Sequence, residues 1–327
     1  MFSLEKNLRI MTAALALSAA CALPTVSALA ADKTVLVTSI VEHPALDAVR
    51  DGAKDELMAE GFEPGKGFKW EFQSAQGNAS IAGQIAKKFV GDNPDVIIAI
   101  ATPSAQAMVA ATKTIPIVYS GIADPIAAQL VKDWGPSGTN VTGLSHMLDP
   151  VKQVEIIKQV VPNAKRVGIV YNPGEANSVS ALNAIKVVLQ KQGMTLVEAV
   201  APRSIDVASA AKNLVGRIDV MYTTTDNNVV STFESLAKVC NDDKIPLIAS
   251  DTGSVKRGAV AALGVNFYDL GRQTGKIVAR ILKGEKPGDI PSSTSKNLEL
   301  YINTTAAQKQ GVTLSPAFIK SATKVID

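Results

Sequence analysis

The stretch Asp95-Val-Ile-Ile-Ala-Ile-Ala-Thr-Pro-Ser104 decides the fold of this chain. Its first half is apolar on both faces, which is typical of a parallel strand buried in the middle of a sheet. Its second half predicts the start of a helix, because Thr102 is a good N-cap residue and Pro103 suits the first helical position. A buried strand that runs directly into a helix is the repeating unit of α/β folds.

The alternation of strand and helix continues on both sides of this stretch. It begins at Lys33, is interrupted by a turn-rich connection at 135–140, and then restarts. About ten strands are expected, with a break near 140–150. Two sheets of five or six parallel strands, each covered by helices, fit this pattern better than one sheet. We therefore predict an α/β protein with two lobes and a ligand cleft between them.

The composition excludes several classes of protein. The 327 residues are 46% hydrophobic and 19% charged, which excludes a disordered chain. The net charge is +3, from 33 basic and 30 acidic residues without a basic run, so we expect no nucleic-acid partner. With two His, two Cys and no nucleotide-binding, metal-binding or nucleophile motif, we expect no catalytic residue, no metal and no cofactor.

Residues 1–30 have the features of a secretory signal peptide. Lys6 and Arg9 form a basic start, 10–23 is an uncharged and mostly apolar run, and Ala28-Leu-Ala30 offers the small residues that a signal peptidase reads. An apolar run of this length is shorter than the roughly 20 residues that cross a bilayer. We therefore expect cleavage rather than a membrane anchor.

Cleavage before Ala31 would release the rest of the chain outside the cytoplasm. Lipid attachment at Cys21 is disfavoured, because Ser18 stands where a lipoprotein signal prefers an aliphatic residue. The remaining chain keeps one cysteine, Cys240, which lies on the apolar face of a helical pattern and is expected to pack in the core.

Candidate ligand-binding residues lie at or just beyond the carboxyl ends of the strands, where open α/β sheets bind their ligands. They are Gln76, Thr102, Ser104, Ser120 and Gly121 in the first half, and Tyr171, Asn177, Thr225, Asp226 and Asp251 in the second half.

Three of these residues suggest a site for an amino acid, although each has a simpler explanation. The hydroxyl of Thr102 and the free N–H groups of the helix that follows could bind a carboxylate, but plain helix capping explains the same residues. No Arg or Lys stands beside them, which favours a carboxylate or a neutral group over phosphate. Asp226 or Asp251 could pair with an ammonium group, and each could instead cap the next helix.

Eight segments, specific in their order and spacing, carry a resemblance to a known family. They are Ala101-Thr-Pro-Ser-Ala-Gln-Ala107, Thr114-Ile-Pro-Ile-Val-Tyr119, Ala123-Asp-Pro125, Asn140-Val-Thr-Gly143, Lys165-Arg-Val-Gly-Ile-Val-Tyr-Asn172, Thr224-Thr-Asp226, Pro246-Leu-Ile-Ala-Ser250 and Tyr268-Asp-Leu-Gly-Arg-Gln-Thr-Gly275. Over nearly all of 33–315 the chain resembles the ABC transporter substrate-binding proteins of the tryptophan/tyrosine-type family.

The resemblance implies a type I periplasmic-binding-protein fold, in which two Rossmann-like lobes are joined by a hinge that the chain crosses three times. The crossings are expected near 144, 265 and 290. The first lobe would be 32–143 plus 266–289, and the second would be 144–265 plus 290–327.

The resemblance also implies a function and roles for the candidate residues. The chain would be the periplasmic solute-binding component of an ABC importer, a monomer that closes on an aromatic or branched amino acid, or a related carboxylate, and delivers it to an inner-membrane permease. Thr102, Ser104 and Ser120 match the residues that hold the ligand carboxylate, and Asp226 or Asp251 match the acid that holds the ammonium group. The alternatives are a sensory ligand-binding subunit of the same fold and a secreted α/β enzyme.

Overall fold

The computed structural model describes residues 32–327, so the predictions for the signal peptide at 1–30 and for Cys21 lie outside the described residues. The strands are β1 (Lys33–Ser39), β2 (Phe68–Ser74), β3 (Val96–Ile100), β4 (Ile117–Ile122), β5 (Val141–Ser145), β6 (Arg166–Tyr171), β7 (Thr195–Val200), β8 (Val220–Thr223), β9 (Leu247–Ala249), β10 (Ala261–Val265), β11 (Ser293–Thr294), β12 (Leu298–Asn303) and β13 (Lys324–Ile326). The helices are α1 (Pro44–Ala59), α2 (Ala79–Asp92), α3 (Thr102–Ala111), α4 (Pro150–Val160), α5 (Ala176–Lys191), α6 (Val207–Lys212), α7 (Asn227–Ser231), α8 (Phe233–Asp242), α9 (Phe267–Leu282), α10 (Thr304–Lys309) and α11 (Pro316–Lys320). Short 3-10 helices span Ser204–Asp206, Thr252–Arg257 and Pro287–Asp289.

The first sheet has six strands in the order β11-β5-β4-β3-β1-β2, and all its strand pairs are parallel. Every residue of β3 is buried, because β1 and β4 flank it and helices cover the sheet. The stretch that begins at Asp95 therefore forms the central strand that its apolar faces predict. We call this sheet, with the helices packed on it, the first lobe.

The second sheet has seven strands in the order β13-β12-β10-β9-β8-β6-β7. Its pairs are parallel except for β10 and β12, which run antiparallel. This sheet and its helices form the second lobe. The predicted fold class, α/β with two parallel-strand sheets and flanking helices, is confirmed.

The chain passes between the two sheets three times, after Ser145, after Val265 and after Thr294. Because β5 and β11 belong to the first sheet, that sheet extends to Ser145 and takes in Ser293–Thr294, which the sequence boundaries at 143 and 290 placed in the second lobe. A strand of two residues is too short to leave a periodic pattern in the sequence.

Helix α9 follows the second-lobe strand β10 but packs against α1 of the first lobe. The backbones of the two helices nearly touch, because a Cβ atom at Gly52 would lie 2.2 Å from the carbonyl oxygen of Tyr268. In the same way, a Cβ atom at Gly271 would lie 2.3 Å from the carbonyl oxygen of Val49. Glycine at these two positions therefore fixes the distance between α1 and α9.

Two helices that the sequence pattern predicts, a short one at 125–132 and one from Asn227 to Cys240, differ in the structure. Residues 125–132 form turns instead of the predicted short helix, because Asp124 Oδ1 accepts the N–H groups of Ile126 and Ala127 and Gln129 adopts a φ of 58°. The helix predicted from Asn227 to Cys240 is broken at Thr232, which separates α7 from α8. Across residues 32–327, every helix is too short or too polar to cross a bilayer.

Candidate ligand-binding site

A small cavity lies between the two lobes, at the carboxyl ends of strands from both sheets. Its volume is about 10 Å³, which is room for about one water molecule. The first lobe and the crossing segments line it with His43, Ala45, Leu46, Ala101, Thr102, Gly121, His146 and Phe267. The second lobe lines it with Asn177, Thr225, Asn227, Val230 and Asp251. We call this cavity the cleft.

The start of α3 forms the first-lobe wall of the cleft. Ala101, rather than the predicted Thr102, is the N-cap residue, and no side chain caps the helix. The backbone N–H groups of the first turn are therefore without a side-chain acceptor and can bind an anion. Ala101 also has a φ of 69°, a conformation that costs a residue other than glycine about 1–3 kcal/mol and is concentrated at ligand sites.

Asp251 is the acidic residue of the second-lobe wall. Its side chain caps the 3-10 helix that begins at Thr252, where Oδ1 accepts the Ser254 N–H at 2.9 Å and Oδ2 accepts the Ser254 hydroxyl at 2.6 Å. Burial raises the pKa of this carboxyl above its ordinary value. Asp251 thus caps a helix and also lines the cleft.

Asn177 supplies a buried oxygen atom to the same wall. Its Nδ2 group donates to Glu175 Oε2 at 3.0 Å, and the Nδ2 group of Asn227 donates to the same oxygen at 2.7 Å. The Asn177 Nδ2 group also donates to the Thr225 carbonyl oxygen at 3.4 Å, and because a carbonyl oxygen can only accept, this bond orients the amide of Asn177. The Oδ1 atom of Asn177 is buried and has no hydrogen-bond partner among residues 32–327. It is therefore an acceptor available to a ligand.

Two histidines that sequence reasoning passed over also line the cleft. His43 Nδ1 accepts the N–H of Leu46 at 3.5 Å and caps α1, and burial lowers its pKa to about 3. His146 Nε2 lies 2.9 Å from Thr225 Oγ1, and burial lowers its pKa to about 4. Both rings are thus neutral at pH 7. The position of His43 beyond the end of β1 was the signal that could have identified it.

The structure brings five of the ten sequence-predicted residues together at the cleft and leaves five outside its wall. Those at the cleft are Thr102, Gly121, Asn177, Thr225 and Asp251. Those outside are Gln76, Ser104, Ser120, Tyr171 and Asp226.

Asp226 and Ser120 are occupied by contacts within their own lobes. Asp226 Oδ2 accepts the N–H of Asn172 and the hydroxyl of Ser178, both at 2.6 Å, while Oδ1 caps α7. The Ser120 hydroxyl lies 2.7 Å from the Thr274 hydroxyl on α9. Of the two acids that the sequence left open, Asp226 is therefore the structural cap and Asp251 is the one that reaches the cleft.

The remaining three residues lie away from the cleft for local reasons. The Tyr171 hydroxyl points to Glu198 Oε2, 3.4 Å away on the neighbouring strand β7. Gln76 is exposed in the turn that follows β2. Ser104 is buried within the first turns of α3.

Within the described part of the chain, no three His, Cys, Asp or Glu side chains lie close enough to hold a metal ion. The cleft combines a helix start without a side-chain cap and buried acceptor atoms. A helix N-terminus suits a carboxylate, and the acceptors Asp251 and Asn177 suit an ammonium group.

Comparison with known proteins identifies the family. Residues 34–326 match the family described as ABC transporter substrate binding protein. The chain belongs to this family of ABC transporter substrate-binding proteins, which bind a small molecule for a permease and work outside the cytoplasm. Because these proteins are not enzymes, the prediction that the chain catalyses no reaction is confirmed, as is the family that the sequence resembles.

Individual relatives are similar to this chain over most of its length. A tyrosine-binding protein of Clostridioides difficile is 40% identical over 271 residues, which is 83% of this chain and 79% of the relative. A Vibrio cholerae conserved domain protein is 47% identical with a TM-score of 0.89, covering 90% of this chain and 99% of that structure.

Two further solved structures differ in their ligand state. A Streptococcus protein in complex with L-Trp is 33% identical with a TM-score of 0.87, covering 90% of this chain and all of that structure. A ligand-free, open structure of a substrate-binding protein with adhesive properties from Clostridium difficile is 38% identical with a TM-score of 0.68, covering 90% and 99%.

Proposed function

We propose that the chain captures an aromatic amino acid in the cleft and delivers it to an ABC importer. One observation carries the proposal. The uncapped start of α3, at Thr102, lies across the cleft from two acceptors, the Asp251 carboxyl and Asn177 Oδ1. The carboxylate of the ligand binds the helix start, and its ammonium group binds the two acceptors.

The comparisons support the aromatic class of ligand. One relative is named for tyrosine, and one solved structure contains L-Trp. The arrangement of the two lobes also favours a closing mechanism. This chain superposes better on the L-Trp complex than on the open, ligand-free relative, although the open relative is more similar in sequence. A cleft of about 10 Å³ has room for only a small part of an amino acid, so the lobes must separate for the ligand to enter and the rest of the ligand needs space beyond the cleft.

The setting of this activity follows from the N-terminal sequence and the family. Export by the signal peptide at 1–30 places the protein in the periplasm, with no lipid at Cys21. There it acts as a monomer, binds no nucleic acid, and presents its closed lobes to the inner-membrane permease. Ligand binding shifts the equilibrium between the open and closed states of the protein toward the closed state.

A thermal-shift screen tests the proposal. The protein is unfolded and refolded to remove any carried ligand, then melted with amino acids, sugars, nucleosides and small carboxylates. A ligand at 100 times its dissociation constant adds about 2.7 kcal/mol of stability. The proposal requires a rise in melting temperature with tryptophan, tyrosine or phenylalanine. A rise with sugars or nucleosides alone would overturn it.

A further inference from the structure

A second cavity of about 220 Å³ adjoins the cleft. It lies between α4, α5, the ends of β8 and β9, and the first crossing segment, and we call it the chamber. Apolar side chains dominate its wall, among them Met147, Leu148, Pro150, Ala181 and Ile185.

The chamber and the cleft are neighbouring parts of one interlobe space. His146 and Thr225, whose side chains are hydrogen-bonded, belong to the walls of both. Helix α5 runs along both spaces, with Asn177 at the cleft and Ala181, one helical turn later, at the chamber. A ligand whose ammonium group binds Asn177 can therefore extend past His146 into the chamber.

The chamber has the size and chemistry of a site for an aromatic ring. A dry apolar cavity of about 150 Å³ is enough to bind benzene, so about 220 Å³ admits a larger ring. Two hydroxyls of its wall, Thr224 Oγ1 and Ser250 Oγ, are buried and have no hydrogen-bond partner among the residues described. A buried polar atom without a partner is costly, and a ligand can satisfy it.

From this continuity we infer that the chamber binds the aromatic ring of the amino acid whose charged groups are held in the cleft, and that Thr224 binds a polar atom on that ring. The inference rests on the proposed function. It assigns ligand specificity to the chamber. The apolar wall limits the size of the ring that fits, and Thr224 forms a hydrogen bond with a hydroxyl or N–H group of the ring.

The first test fills the chamber. Ala181→Leu places a larger apolar side chain in the wall, on a helix where leucine is well tolerated. The matched control is Asn183→Leu, which puts the same side chain on the exposed side of α5. We expect Ala181→Leu to weaken L-tryptophan binding by at least tenfold in calorimetry and the control to bind as the unmodified protein does. Equal affinity of all three proteins would overturn the inference while leaving the proposed function intact.

The second test detects the contact between ligand and chamber in the unmodified protein. With methyl-labelled methionine, we expect a nuclear Overhauser effect between the ring protons of bound L-tryptophan and the Met147 methyl group, assigned by Met147→Leu. Met58, exposed on α1, is the control methyl group. Saturating binding without a contact to Met147 would contradict the inference, whereas failure of the unmodified protein to bind any aromatic amino acid would overturn the proposed function as well.

The third test addresses Thr224. Thr224→Val removes a hydroxyl that bonds to no described residue, so the fold should be retained. We expect binding of tyrosine and tryptophan to weaken about tenfold and binding of phenylalanine to stay within about twofold, since phenylalanine has no polar ring atom. An equal change for all three ligands would contradict the assignment of Thr224.

Discussion

Ser180 donates a hydrogen bond from its hydroxyl to Asp124 Oδ2 at 2.9 Å, and this bond joins the second lobe to the first. Ser180 lies on α5, and Asp124 lies in the loop after β4. The contact can form only when the lobes are close together, so it stabilises the closed arrangement relative to an open one.

Ser180→Ala should therefore weaken ligand binding. A hydrogen bond to a charged acceptor contributes about 1.5–3 kcal/mol, and this one is partly exposed, so we expect a loss of about 1 kcal/mol. That loss corresponds to an affinity about fivefold lower in calorimetry. Ser209→Ala is the control, because Ser209 bonds to Asp206 within the second lobe. Equal affinities of the two variants would show that the bridge is not coupled to binding.

Asp251 and Asp226 should respond differently to loss of their charge. Asp251→Asn removes the partner of the ligand ammonium group, and losing one member of a buried charge pair costs about 2–5 kcal/mol. We expect affinity for L-tryptophan to fall at least about 30-fold. Asn can still cap Ser254, so the fold should persist.

The matched control is Asp226→Asn. In this variant an amide replaces the carboxylate whose Oδ2 atom accepts hydrogen bonds from both the Asn172 N–H and the Ser178 hydroxyl. We expect a loss of about 1–3 kcal/mol of stability with little change in affinity. The reverse result, with binding lost in Asp226→Asn and kept in Asp251→Asn, would refute the assignment of the two acids.

His146 should make the fold sensitive to acid. Its pKa is lowered from 6.5 to about 4 by burial, so the folded protein holds the ring neutral while the unfolded chain takes up a proton below pH 6.5. The contribution of His146 to the free energy of unfolding is therefore fully present above about pH 6.5 and decreases as the pH drops toward 4. Between pH 7.5 and 5 this residue accounts for a loss of about 2 kcal/mol.

Denaturant unfolding of the unmodified protein and of His146→Gln at both pH values measures this effect. Gln cannot take up the proton but can still bond to Thr225. The loss of stability on acidification should be about 2 kcal/mol smaller in the variant. An identical loss in both proteins would mean that His146 is not responsible.

The contact between α1 and α9 should depend on glycine. Gly271→Ala would place a methyl group 2.3 Å from the Val49 carbonyl oxygen, so the helices must move apart. We expect a loss of at least about 2 kcal/mol in the free energy of unfolding. Gly83→Ala on α2 is the control, because its added methyl group meets no atom within 4 Å. It should raise stability by about 0.5–1 kcal/mol. Similar effects of both substitutions would argue against close packing of α9 on the first lobe.

The sequence predicted the fold class because its strands are strongly patterned. The run Val96–Ile100 is apolar on both faces and became the central strand of the first sheet. The sequence pattern does not indicate β5, β11 and β13, which have two to five residues and lie beside turn-forming segments. Such short segments pair because their neighbours are already in place, which a local pattern cannot reveal.

The candidate site could be predicted only in part from the sequence, because the sequence does not determine the direction of each side chain. Residues at strand ends were the right group to consider. Asp226 and Asp251 follow similar strands, yet one is enclosed by Asn172 and Ser178 and the other faces the cleft. His146 lies on a crossing segment, so its place beside Thr225 depends on how the lobes meet.

The most direct test of the account is calorimetric titration of the refolded protein with L-tryptophan, N-acetyl-L-tryptophan and tryptamine. The first has both charged groups, the second lacks the ammonium group and the third lacks the carboxylate. The account predicts binding of L-tryptophan and at least tenfold weaker binding of each analogue, because Asp251 and the start of α3 each lose their partner. Equal affinity for all three compounds, or binding of a sugar in their place, would contradict it.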